Sequence, residues 1–139
     1  MLRTLPIIAF LLRPSILARA DYRKMPCKTP EIESSCFHTH ARLTLGNGTP
    51  SVRLWPVGTN HLYGIYSNSF GFAHQSEIVP SDTEAPELPP TVTKHLPKSD
   101  SGGWTVYGDF EVCPLEPPIQ GHMQAACIES ATHIFAPKQ

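Results

Sequence analysis

The sequence predicts an all-β domain, and three observations carry that prediction. Apolar and polar residues alternate over 36–45, 52–57 and 103–113, the period-two pattern of strands with one face in a core and one in water. Gly46-Asn47-Gly48-Thr49-Pro50 and Gly58-Thr59 separate the first runs as turns do. Only Leu88 to Leu96 offers a helical spacing, with Leu88, Val92 and Leu96 at i, i+4 and i+8.

The chain opens with a charged start, an apolar run over 5–12 and Ala18-Arg19-Ala20 before polar Asp21, the layout of an export signal over 1–20. That run is far short of the roughly 20 residues that span a bilayer, and no later segment is longer, so no transmembrane segment is expected. Loss of Arg3, Arg13 and Arg19 from eleven basic residues leaves eight against twelve acidic ones, a net charge of −4. Such a chain is a poor general binder of nucleic acid. The expected location is periplasmic or extracellular, with residues 21–35 a strap and 36–139 one β domain.

In the first strand, Cys36–Leu45, Phe37, Thr39, Ala41, Leu43 and Leu45 share one face, and His38, His40, Arg42 and Thr44 the other. The second runs from Val52 to Val57. A two-residue Asn47-Gly48 loop would set Arg42 against Arg53, whereas a four-residue loop over 47–50 sets Arg42 against Trp55; the repulsion favours the longer loop. The third strand, His61–Tyr66, contains Gly64 as a bulge or point of close approach. A long surface loop follows over 68–87, then one or two helical turns over 88–96. The fourth strand, Gly103–Cys113, faces inward with Val106, Gly108, Phe110 and Val112. A stiff loop over 114–121 leads to the fifth, Met123–Phe135, long enough to bend. The order β-β-β-α-β-β is that of the five-stranded OB-like barrel, with a small β-sandwich as the alternative.

Four cysteines behind an export signal point to disulfides. The expected pairs are Cys27–Cys36, tying the strap to the first strand, and Cys113–Cys127, closing the last hairpin for ~3 kcal/mol. The Cys113–Cys127 register carries a cost, since it sets Glu111 opposite Glu129. No C-x2-C spacing supports a zinc cluster, and no His partner marks a catalytic thiolate.

The run CFHTHARLTLGNGTPSVRLWPVGTNHLYGI, with YGDFEVCP further on, resembles an uncharacterised family of small exported bacterial proteins. Its specific parts are N-G-T-P, R-x-W and G-D-F-x-V-C-P. The resemblance implies Gram-negative-type export and brings no activity, cofactor or catalytic residue.

Enzyme chemistry finds little support. There is no G-x-S-x-G elbow and no phosphate-cradling glycine loop. His38-x-His40 puts two imidazoles on one strand face, a spacing that suits zinc if His61, His74, His122, His133 or Glu129 completes the site. A solvated strand face explains the same pair without metal. Asn47-Gly48-Thr49 fits a glycosylation pattern, yet its turn chemistry accounts for the residues. A binding surface is the better candidate. Arg42, Arg53, Trp55 and Tyr66 fall on the non-core face of the first three strands, and guanidinium and indole are enriched in binding surfaces. The expected partner is an anionic or saccharide ligand, or an envelope protein. The sequence therefore reads as a non-enzymatic binding or structural module of the cell envelope, with a small metal-dependent enzyme using His38 and His40 as the alternative.

Overall fold

The computed structural model describes residues 26–67, 86–98 and 102–138. The export signal over 1–20, and the 68–85 part of the long loop, lie outside the described residues.

Period-two alternation becomes five strands: β1 (Phe37–Leu45), β2 (Val52–Pro56), β3 (Tyr63–Ile65), β4 (Thr105–Pro114) and β5 (Gln124–Phe135). A one-turn helix, α1 (Pro90–Thr93), stands between β3 and β4. The sheet closes in the order β1-β2-β3-β5-β4 and back to β1, with only the β3–β5 pair parallel. Pairing of β4 back onto β1 selects the barrel over the sandwich. No helix among the described residues is long and apolar enough to cross a membrane.

Inward residues fill the interior as the alternation requires. Ala41 and Leu43 from β1, Leu54 from β2, and Val106, Phe110 and Val112 from β4 form one buried cluster with Ile65, Ile128 and Ala131. Val92 of α1 is fully buried in that cluster, and Leu88 and Leu96 pack beside it, so three residues at helical spacing anchor the connection. Burying a side chain of that size stabilises by roughly 1.5–3 kcal/mol. Proline at the first helical position presets φ and loses no hydrogen bond there.

The hairpin adopts the expected register, with Arg42 paired to Trp55 and Leu43 to Leu54. Gly64 is the expected point of close approach. A Cβ there would lie 2.5 Å from Cγ of Pro50 and within 3.3 Å of Tyr66 and Met123. The β1–β2 loop thus lays Pro50 flat over the outer side of β3.

The disulfide expectation is corrected. Both pairs exchange partners: Cys27 bonds Cys127, and Cys36 bonds Cys113. Cys36 precedes Phe37, whose ladder partner is Val112, so the β1–β4 register brings Cys36 across from Cys113. Cys113 and Cys127 do face each other in the ladder, as expected, but each bonds outward. Residues 26–36 run across β4 and β5 there, and Ile32 and Leu115 complete a small second core around the sulfurs.

The like-charge clash is also resolved. Glu111 pairs with Ser130 and Val112 with Ile128, leaving Glu129 as the extra residue of a bulge. Lys28 then bridges the two acids: its backbone N–H donates to Glu129 at 2.7 Å and its Nζ to Glu111 at 2.8 Å. The Lys28 hydrogen bond is the main reason the Glu111 carboxyl lies below its ordinary range. A depressed carboxyl contributes stability that is present above the unfolded value, near pH 4.3, and lost as pH falls through the folded value. Lys28→Ala should flatten the acid limb of a stability-against-pH curve below about pH 4.5. An unchanged limb would show that Lys28 contributes nothing to it.

Candidate binding surface

Alternation leaves one outward residue per strand at each level of the barrel, and at one level those residues differ from a usual solvated face. Trp55 of β2 pairs with Arg42 of β1, Arg42 with Tyr107 of β4, and Tyr107 with Phe135 of β5. An aromatic, a cation and two more aromatics form a row across four adjacent strands.

Side-chain contacts join the row at each end, and the β1–β4 ladder joins its middle. The indole N–H of Trp55 donates to the Thr59 carbonyl at 2.8 Å, so the ring lies along the β2–β3 turn. The Arg42 guanidinium lies over that ring, 5.1 Å from its centroid, within cation–π range. No carboxylate among the described residues pairs with Arg42. Tyr107 and Phe135 stack nearly parallel, with centroids 5.4 Å apart and planes at 13°. Phe135, at the β5 end of the row, is 52% exposed.

A bulge makes that stack. Tyr107 faces Phe135 and Asp109 faces Thr132, so Gly108 alone opposes His133 and Ile134. His133 takes the left-handed conformation, φ 52°, which moves the next residues by one position. A Cβ on Gly108 would meet the Ile134 side chain and stand 3.0 Å from the Thr132 carbonyl. Only glycine admits the bulge without rearrangement.

The same bulge turns His133 toward Asp109. Its Nδ1 lies 2.9 Å from one carboxylate oxygen of Asp109, and Nδ1 of His40 lies 2.8 Å from the other. The His40 hydrogen bond, then that of His133, holds the Asp109 carboxyl below the usual range. Asp109, two residues from Tyr107 on β4, thus bonds two imidazoles and makes no ion pair with Arg42.

The residues singled out in the sequence fall in different places. Arg42 and Trp55 meet. Arg53 instead closes the hairpin, its Nε donating to the Pro50 carbonyl at 3.1 Å and its Nη2 to that of Asn47 at 3.0 Å. Tyr66 belongs to the neighbouring Pro50–Gly64–Met123 patch. His38 and His40 share the outer face of β1 but address separate acids, His38 reaching Glu111 at 4.0 Å. Of the residues named to complete a metal site, His61 is bonded to Gln124, Glu129 holds the strap, and His74 lies outside the described residues. Among the described residues, no three His, Cys, Asp or Glu side chains come together to hold an ion.

Tyr107 and Phe135 are the members that sequence reasoning missed. Tyr107 was legible as an outward residue of β4, but its pairing with Phe135 depends on the bulge. Pro50 lies over β3, the strand pair 2–3 face that OB-type barrels use for ligands. No protein-family model, curated protein or solved structure matches this chain.

Proposed function

We propose that this chain is an exported, non-enzymatic binding module of the cell envelope that holds an anionic or saccharide ligand along Trp55, Arg42, Tyr107 and Phe135. The observation that carries this reading is the Arg42 guanidinium over the Trp55 ring, exposed and without an acidic partner among the described residues, in a row of aromatics. A guanidinium edge grips carboxylate or phosphate in a bidentate fork, and aromatic faces accept sugar rings. Export is supported by the signal-like start of the sequence, and both disulfides are compatible with an oxidising compartment. The metal-dependent alternative draws less support, because His40 is engaged with Asp109 and His38 stands apart.

Binding of the purified protein to solubilised envelope polysaccharide tests the reading. Arg42→Gln should weaken binding roughly tenfold or more, the usual worth of a charged hydrogen-bond donor. Its thermal midpoint should drop only slightly, since an exposed cation–π contact is worth about 0.5–1 kcal/mol. Undiminished binding by a folded Arg42→Gln variant would remove the row from consideration.

A further inference from the structure

We infer that the row takes a linear acidic glycan laid across the strands, with a sugar carboxylate on Arg42 and the face of a sugar two or more residues further along on the Phe135 ring. This inference rests on the binding face proposed above and names its ligand class. Three features lead to it.

The first is spacing. Neighbouring strands lie about 4.8 Å apart, so the backbones at Arg42 on β1 and Phe135 on β5, two strands away, are separated by roughly 10 Å, and the guanidinium, over Trp55 on the β2 side, stands further still from the Phe135 ring. A linked pyranose advances by about one such strand spacing, so at least three linked sugars are needed to reach both groups. A single small anion or a monosaccharide reaches only one of them.

Chemical asymmetry along the row is the second. The Arg42 end offers guanidinium N–H donors, exposed beside the Trp55 ring and without a carboxylate partner among the described residues. The Phe135 end offers a flat apolar ring, held by its stack on Tyr107 and open to solvent on the other side. A carboxylate suits the first and the C–H face of a sugar suits the second. Acidic glycans carry both groups on one chain.

The third is local charge in an acidic protein. Asp109 and Glu111, the acidic neighbours on β4, are occupied by His40 with His133 and by Lys28 with Ser130. Arg42 is left to present its charge outward. One exposed cation beside aromatics fits a glycan gripped at a single carboxylate better than a nucleic acid, which rewards many basic contacts.

Titration calorimetry with galacturonate oligomers of two to six sugars tests this, beside the same oligomers with their carboxylates reduced to alcohols. Affinity should rise at least tenfold between the disaccharide and the longer oligomers, and fall about tenfold on carboxylate reduction. Arg42→Gln should bind acidic and reduced oligomers alike, and Arg42→Lys should recover only part of the difference, because a point charge lacks the fork. Phe135→Ala, at an exposed position that should fold normally, should erase the length step and keep the carboxylate dependence. Equal affinity for acidic and reduced oligomers, no length step, or tighter binding of a single-stranded oligonucleotide would overturn the inference. Failure with galacturonates while Arg42→Gln still abolishes binding to envelope polysaccharide would overturn the glycan assignment alone. If Arg42→Gln leaves that binding intact, the proposed surface falls with it.

Discussion

A Cys27→Ala/Cys127→Ala double variant is expected to lose about 3–4 kcal/mol, the loop-closure value for the loop of about 25 residues that this bond closes while Cys36–Cys113 stays intact. The rest of the barrel gives reason to expect an effect of that size. Its main core is built from alanine, valine, leucine and isoleucine around one phenylalanine, Phe110, and a domain of this length gains noticeably from a cross-link. Removing the bond also releases the strap, so Lys28 leaves its two acids. Urea unfolding of the oxidised wild type and the double variant measures the loss. The Cys36→Ala/Cys113→Ala variant opens a loop of about the same size but should lose less in total, because the β1–β4 ladder keeps its native contacts there, whereas the first variant also frees the strap. A midpoint unchanged by the first double variant would show that the strap is stabilised without the bond.

Gly108→Val is expected to cost about 2–3 kcal/mol, the upper range for overpacking a buried site. Its side chain would enter space occupied by Ile134 and approach the Thr132 carbonyl, so the bulge at His133 could not persist unchanged. Because the bulge sets Phe135 beside Tyr107, the variant should lose the aromatic stack as well as stability. Adding Ile134→Ala to Gly108→Ala should restore part of the loss, since the nearest obstacle is then gone. Calorimetric midpoints for the single and double variants give the coupling energy. Additive losses would place the role of Gly108 elsewhere.

These two predictions also mark what the sequence could and could not reveal. Local signals sufficed for the strands, for the helix anchored by Val92, and for the hairpin register, where repulsion between Arg42 and Arg53 excluded the shorter loop. Each depends on residues close in sequence. The disulfides required knowing that β4 returns to β1 and that the strap crosses β5, contacts with separations of 77 and 100 residues. Hairpin logic therefore assigned the right cysteines to the wrong partners.

The binding surface divides in the same way. Arg42 and Trp55 are hairpin partners, so their meeting was legible. Arg53 lies one outward position away and looked equivalent, yet the carbonyls of Asn47 and Pro50 lie within its reach. Phe135 became part of the row only through an extra residue in β5, and alternation by itself does not locate a bulge. Tyr66 sits on the expected OB-type face, but Pro50 occupies the space over Gly64 beside it.

Chemical-shift mapping of the isotope-labelled protein, titrated with solubilised envelope polysaccharide, tests the central claim most directly. The account predicts the largest changes at the Arg42 guanidinium, the Trp55 indole N–H and the rings of Tyr107 and Phe135. Little change is expected at Tyr66 and Met123, or at the open groove lined by His61, Leu62, Ile119 and His122. Changes concentrated at Tyr66, at Met123 or in that groove, with the row silent, would contradict it.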